Sequence, residues 1–263
     1  MTSFLRTYAD DPAALQQRMD AAVVVPTLLR PSLVPAVQSV FAQKFSGRIQ
    51  LLIGIDRPDG SLETLDAACA GRPANCFVQA LYAGYSTSSR HGGLSPAGDG
   101  GVLRCVLTYL ANSRYVAYLD DDNWWDPSHL RTMRRALHGA AWAFALRWFV
   151  HPASGRSVAV DTWESVGPGA GMFAERFGGF VDPSCLMIDK TACPDVIQAW
   201  NFPLLSRDPA SADRRVFQLL SQRHKGAGTG AATVFYRMNP ADMLHKQRVR
   251  RLGAAYDEAG QAV

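Results

Sequence analysis

Three adjacent aspartates, Asp120, Asp121 and Asp122, stand directly behind the apolar run Tyr115-Val116-Ala117-Tyr118-Leu119 and directly before Asn123-Trp124-Trp125. A short apolar run of this kind reads as a strand buried on both faces, so the acids sit at its C-terminal end, at the rim of a core. That is where open α/β sheets bind ligands. Three carboxylates in a row repel one another and call for either free solvent or a divalent cation; the flanking apolar and aromatic residues favour the cation. Oxygen-only ligands point to Mg²⁺ or Mn²⁺ rather than zinc or copper. A calcium loop of EF-hand type fails, because the sixth position from Asp120 is Trp125 rather than Gly and the twelfth is Arg131 rather than Glu. The structural alternative, a helix cap, is already filled by Asp126 before Pro127.

Upstream, the same alternation repeats. Ala22-Val23-Val24-Val25 reads as a buried strand ending at Pro26, and a helix begins near Pro31 with Leu33, Val37, Val40 and Phe41 at helical spacing. Ile49 to Ile55 is the next strand, ending at Asp56. The turn Arg57-Pro58-Asp59-Gly60-Ser61 leads into a helix from Leu62. A third strand spans Cys76 to Leu81, a Gly- and Ser-rich loop covers 83–101, and a helix from Val102 to Ala111 precedes the strand before the aspartates. This predicts an α/β fold with a mostly parallel sheet and helices on both faces. Residues 1–20 are expected to form a helical preamble. In the second half, strands are expected at Ala143 to Val150, Ser157 to Val160, Ser184 to Ile188 and Thr233 to Arg237, with a helix over Asp213 to Gln222 and loops at Gly167–Gly171, Gly178-Gly179 and Gly226–Gly230.

The length of 263 residues fits one large domain or two small ones, and no linker divides it. A net charge of +4 suits an anionic substrate or a lipid surface and falls short of a nucleic-acid-binding domain. His245, Lys246, Arg248, Arg250 and Arg251 crowd the C-terminal end, either as a solvated helix face or as a phosphate- or membrane-facing tail. Five cysteines without C-x-x-C spacing read as reduced and packed. With no leader and no apolar run of spanning length, the chain is expected to be cytoplasmic, with a possible peripheral contact at the inner face of the membrane.

No G-x-x-x-x-G-K-[ST] loop, no glycine-rich turn after the first strand, no G-x-S-x-G and no H-E-x-x-H occur. Three segments instead resemble, in order and spacing, the GT-A glycosyltransferases of family 2. They are Val23-Val24-Val25-Pro26-Thr27 with Arg30-Pro31, Ile53-Gly54-Ile55-Asp56 with Asp59-Gly60-Ser61, and Leu119 through Trp125, the last resembling the family's D-x-D motif. Weaker resemblance continues through Gly178–Asp182 and Ala212–Arg215. Two segments depart from the pattern: Arg57-Pro58 displaces Asp59-Gly60-Ser61 by two residues, and Gly98-Asp99-Gly100-Gly101 replaces the usual Arg-Asn-x-Gly.

The resemblance implies a GT-A nucleotide-binding sheet merged with an acceptor subdomain, with residues 21–123 as the donor half and 124–263 as the acceptor half. It implies an inverting transfer of sugar from a nucleotide-diphosphate donor, a UDP-sugar, to a hydroxyl acceptor on a glycan, glycolipid or small molecule. Pro26, Thr27, Arg30, Asp56, Asp120 and Asp121 would hold the donor, and Asp122 would hold Mn²⁺ or Mg²⁺; His245 is read either as a second ligand or as a surface histidine. Asp213 matches the catalytic base. Trp124, Trp125, Arg147, Trp148 and His151 are read either as core or as acceptor-side residues. Two other classes stand beside this one: a sugar-phosphate nucleotidyltransferase, which would want a basic Gly-rich loop where Leu28-Leu29-Arg30-Pro31 lies, and a degenerate nucleotide-sugar-binding protein, which would have lost these acids.

Overall fold

The computed structural model describes residues 2–98, 100–202 and 212–261. The chain opens with a strand, β1 (Phe4–Tyr8), and a 3₁₀ turn at Pro12–Gln16. Two βαβ units follow: β2 (Ala21–Thr27), α1 (Leu33–Phe41), β3 (Ile49–Ile55), α2 (Leu62–Cys69) and β4 (Cys76–Tyr82). Then come α3 (Gly101–Leu110), β5 (Tyr115–Tyr118), the two-residue β6 (Trp124–Trp125), α4 (His129–Ala136), β7 (Trp142–Val150) and β8 (Ser157–Val160). A small hairpin of β9 (Gly167–Pro168) and β10 (Gly179–Phe180) brackets the one-turn α5 (Ala174–Phe177). The chain continues through β11 (Leu186–Asp189), α6 (Pro194–Ile197), α7 (Ala212–Arg223), β12 (Gly226–Arg237), α8 (His245–Leu252) and α9 (Ala254–Gly260).

Among the described residues one 10-stranded sheet runs in the order β1-β4-β3-β2-β5-β11-β7-β12-β6, with β8 paired to β7. Strands β2, β3, β4, β5, β7 and β12 point one way and β1, β6, β8 and β11 the other, so the fold is the expected α/β sheet, mostly parallel, surrounded by helices. The step from β4 back across to β5 reverses the winding, and right-handed crossovers then put α3 on the face opposite α1 and α2. The reversal opens a crevice at the C-terminal ends of β2, β3 and β5. Val23, Val24, Val25, Leu51, Ile53 and Ile55 are fully buried in the core between the helical layers, which is why these runs carry no polar alternation.

The first 20 residues depart from expectation. Phe4–Tyr8 is an edge strand, antiparallel to β4 in the register Phe4↔Tyr82. Its half-buried residues Phe4, Arg6 and Tyr8 alternate with exposed Leu5 and Thr7. A strand there covers the open edge of β4, a long-range demand that the sparse apolar residues Leu5, Tyr8 and Leu15 do not signal. The loop expected at Gly226–Gly230 is likewise the first half of β12, parallel to β7. Glycine is required because a Cβ at Gly226 would lie 2.3 Å from the Trp142 ring.

All five cysteines are free thiols. Burial pushes those of Cys69, Cys76 and Cys193 up to about 12, which suppresses the reactive thiolate. Among the described residues, no helix is long and apolar enough to cross a membrane.

Candidate active site

The strand ends converge on a pocket of about 330 Å³ whose walls include Pro26, Thr27, Arg30, Asp56 and all three of Asp120, Asp121 and Asp122. Sequence reading gathers these seven from three distant segments, and the fold brings them together. The pocket also takes Gly98 and Gly100, from the segment that departs from the family pattern, and His91 and Arg104, which the sequence did not single out; Arg104 is hidden as one polar residue in an amphipathic helix.

The three aspartates have separate tasks. Asp121 is buried and accepts from the Thr27 hydroxyl at 2.7 Å and from Arg30. The same Thr27 oxygen accepts from Leu29 N–H at 2.9 Å, so Asp121 pins the turn after β2. That turn is tight: Leu29 has φ +60, and a Cβ on Gly60 would sit 1.9 Å from the Leu29 carbonyl oxygen. The displaced Asp59-Gly60 segment thus still serves the pocket, closing onto Leu28 O through Asp59 N–H at 2.8 Å. Asp120 pairs with Arg104, and its N–H donates to Ser184 Oγ at 3.2 Å.

Asp122 differs from both. Among the described residues its carboxylate accepts no hydrogen bond, and the nearest cation is Arg30 at 3.7 Å. Desolvation, followed by the charges of Asp120 and Asp121, pushes its pKa up to about 7, with Arg30 pulling the other way. A carboxylate under this repulsion, open to the pocket and committed to no donor, fits a divalent cation. No three His, Cys, Asp or Glu side chains form a metal-binding group among the described residues, and a cation held by so few side chains would keep water oxygens, as Mg²⁺ does.

Asp56 is held by the loop that follows β4. It accepts from Ser86 Oγ at 2.6 Å, Thr87 N–H at 2.8 Å and Thr87 Oγ1 at 2.7 Å, so it builds the pocket wall as well as facing the cavity. Ser184 is a second organiser absent from the sequence reading. Its hydroxyl accepts from Asn123 Nδ2 at 3.0 Å, and its carbonyl accepts from Trp125 Nε1 at 2.9 Å. Trp125 is therefore core, stacked on His129 at 4.2 Å, while Trp124 is half-buried against Phe235.

Arg147, one of the undecided acceptor-side residues, is interior. It donates to Asp161, Glu164 and Asp182 at 2.9, 2.8 and 2.7 Å, and Glu164 in turn accepts from Arg248 at 2.7 Å. Desolvation, opposed by Arg147 and reinforced by Asp120, raises the Asp182 pKa. Arg248 is only 3% exposed, so one member of the C-terminal basic clump turns inward to neutralise buried acids, while Lys246, Arg250 and Arg251 stay exposed. His151 is buried against Tyr256.

The remaining two candidates lie off the pocket wall. His245 is the first residue of α8, its ring 6.0 Å from Tyr256. Asp213 is in the first turn of α7 and accepts from Arg214 N–H at 2.6 Å. The guanidinium of Arg214 lies 4.3 Å from the Phe173 ring centre, and that of Arg215 donates to Gln218. Helix α7 packs on the 3₁₀ turn Gln198–Asn201; Trp200 of that turn lies 5.2 Å from Arg104, the partner of Asp120. Helix α7 thus packs on the turn whose Trp200 lies against the partner of Asp120.

No family model matches this sequence, and no curated protein matches it. Solved structures do. They include S. aureus TarS 1–349 in complex with UDP, at TM-score 0.59 and 15% identity over 89% of this chain and 64% of that one. TarS 1–349 with UDP-GlcNAc gives 0.59 and 14% over 93% and 68%. A mannosyltransferase, PcManGT from Pyrobaculum calidifontis, in complex with GDP-Man and Mn²⁺, gives 0.56 and 12% over 94% and 66%. This chain spans 39% of the longer TarS structure. At such identities the likeness is one of fold: the chain has the GT-A glycosyltransferase fold.

Proposed function

We propose that this chain is an inverting, metal-dependent glycosyltransferase of the family 2 type that moves a sugar from a UDP-sugar to a hydroxyl acceptor. The observation that carries the reading is the convergence of Thr27, Asp56 and the Asp120–Asp122 run on one pocket, with Asp122 left uncommitted. In neighbours of the same fold, UDP, UDP-GlcNAc and GDP-Man with Mn²⁺ are bound.

In this reading residues 21–123 form the donor half and 124–263 the acceptor half. Asp122 would hold Mn²⁺ or Mg²⁺, and the second protein ligand would be His245, whose buried Nδ1 has no hydrogen-bond partner among the described residues. The cation, when bound, neutralises the charge growing on the leaving diphosphate. Thr27, Asp121 and Arg30 fix the turn against which the nucleotide lies. Arg104 holds Asp120 toward the ribose side, and Asp56 with Ser86 and Thr87 faces the base. Asp213 accepts the proton of the acceptor hydroxyl on the side opposite the leaving group. The test is release of UDP from a panel of UDP-sugars in the presence of Mn²⁺. Acceptor-dependent release that is abolished by Asp213→Asn supports the reading, and release of pyrophosphate from nucleoside triphosphate and sugar phosphate supports a nucleotidyltransferase instead.

A further inference from the structure

A second cavity, of about 590 Å³, is walled by Lys44, Phe45, Arg131, Arg134, Arg135 and His138. Residues 131, 134, 135 and 138 recur at helical spacing along one side of α4 and its C-terminal extension, while Leu130, Met133 and Leu137 pack inward. Among the described residues none of these basic side chains is in an ion pair. The nearest acid in sequence, Asp126, feels the charge of Lys44, but its carboxylate is taken by Ser128 N–H at 2.8 Å and Ser128 Oγ at 2.6 Å. Arg134 alone has a further structural task, its guanidinium lying 3.3 Å from the Tyr115 ring centre.

The ordinary reading of two arginines in the last turn of α4 is that they complement the helix dipole. That accounts for Arg134 and Arg135. It leaves Lys44, which comes from the loop after α1, and Arg131, in the first turn, where the dipole disfavours a cation. Mutually repelling cations from two elements around one concavity, with no carboxylate among its lining residues and Asp126, which feels the charge of Lys44, outside that lining, make a site whose missing component is negative charge.

We propose that this groove binds a soluble, multivalent phosphate-bearing anion. Guanidinium forks and an ammonium group match phosphate oxygens. A lipid surface fits less well: the apolar element of the lining is half-buried Phe45, and none of the large exposed apolar side chains lies on the groove, so nothing is presented for insertion into a bilayer. The groove lies toward the N-terminal ends of β3 and β7, whereas the donor pocket lies at the C-terminal ends of β2, β3 and β5. A seven-residue strand separates those ends by roughly 20 Å. The bound anion is thus remote from the transfer reaction, and the proposal stands independently of the donor assignment.

The probe is inorganic tripolyphosphate, titrated calorimetrically in EDTA, where the three aspartates of the donor pocket repel it. The expected result is binding that weakens as NaCl rises and that falls by about tenfold or more in K44Q/R131Q/R135Q, since several phosphate contacts are lost together. The equal-charge control K246Q/R250Q/R251Q, on exposed positions of α8, is expected to bind as the wild type does, with all three proteins melting at similar temperatures. Equal losses in both triple variants mean a diffuse counter-ion atmosphere and overturn the proposal. So does absence of tripolyphosphate binding, or recruitment to phosphatidylglycerol vesicles that requires Lys44, Arg131 and Arg135 while free tripolyphosphate does not bind.

Discussion

The Thr27 hydroxyl donates to Asp121 at 2.7 Å across 94 residues of chain, locking the turn after β2 to the acidic loop after β5. Because Asp121 is 3% exposed, removing the donor leaves a buried acceptor short of a partner. Thr27→Val is expected to cost about 1–3 kcal/mol. In a double-mutant cycle with Asp121→Asn, measured by urea denaturation, the two changes should be strongly non-additive; simple additivity would show that the pair is not coupled.

Asp122 gives a pH signature. Its folded-state pKa of about 7 exceeds the ordinary carboxylate value near 4, so the folded chain holds the extra proton between those values. Cation-free protein therefore loses stability as pH rises through that window. Asp122→Asn removes the penalty and is expected to be more stable than wild type in EDTA at pH 8. The gain is about 1 kcal/mol once the screening of a partly exposed carboxylate is allowed for, and it disappears by pH 5. Thermal unfolding at the two pH values checks this, and a less stable Asp122→Asn at pH 8 contradicts it.

Arg248 is expected to behave as a buried counter-charge. It bonds Glu164 at 2.7 Å and Asp242 at 2.8 Å, and Arg248→Ala leaves the buried Glu164, which Arg147 already shares with Asp161 and Asp182, one counter-charge short, at a cost of about 3 kcal/mol. Arg250→Ala, two residues on and exposed, should change stability by less than about 0.5 kcal/mol. Equal effects in chemical denaturation contradict this assignment.

Asp213→Asn separates a base from a helix cap. As a base, its loss lowers turnover by roughly 10² to 10⁴ while leaving donor affinity and melting temperature nearly unchanged. A loss of activity that only tracks a lowered melting temperature marks Asp213 as a first-turn acid complementing the dipole of α7.

The parallel core was legible because its strands are buried on both faces: Val23–Val25 and Ile49–Ile55 have no polar alternation to disguise them, and each is followed directly by a residue that lines the pocket, Pro26 and Asp56. The acidic run was legible for the same reason. What escaped was set by distant partners. Phe4–Tyr8 is a strand because β4 has an open edge, and Gly226 continues a strand because Trp142 lies against it. Ser184, Arg104 and Arg147 carry no motif. Each is defined by the group it meets, Asn123, Asp120 and Asp182 respectively, and no local pattern encodes those meetings. Residues 203–211, which precede Asp213, lie outside the described residues, as does Asp99 within the departing Gly98–Gly101 segment.

The most direct measurement is calorimetric titration of UDP into wild type and Asp122→Ala, each with Mn²⁺ and with EDTA, with CDP and GDP as comparisons. The expected result is wild-type binding of UDP in preference to CDP and GDP, at least about tenfold tighter with Mn²⁺, a difference of about 1.4 kcal/mol, and loss of that metal dependence in Asp122→Ala. Wild-type affinity for UDP that is the same in EDTA as in Mn²⁺, or tighter binding of GDP or CDP, contradicts the account.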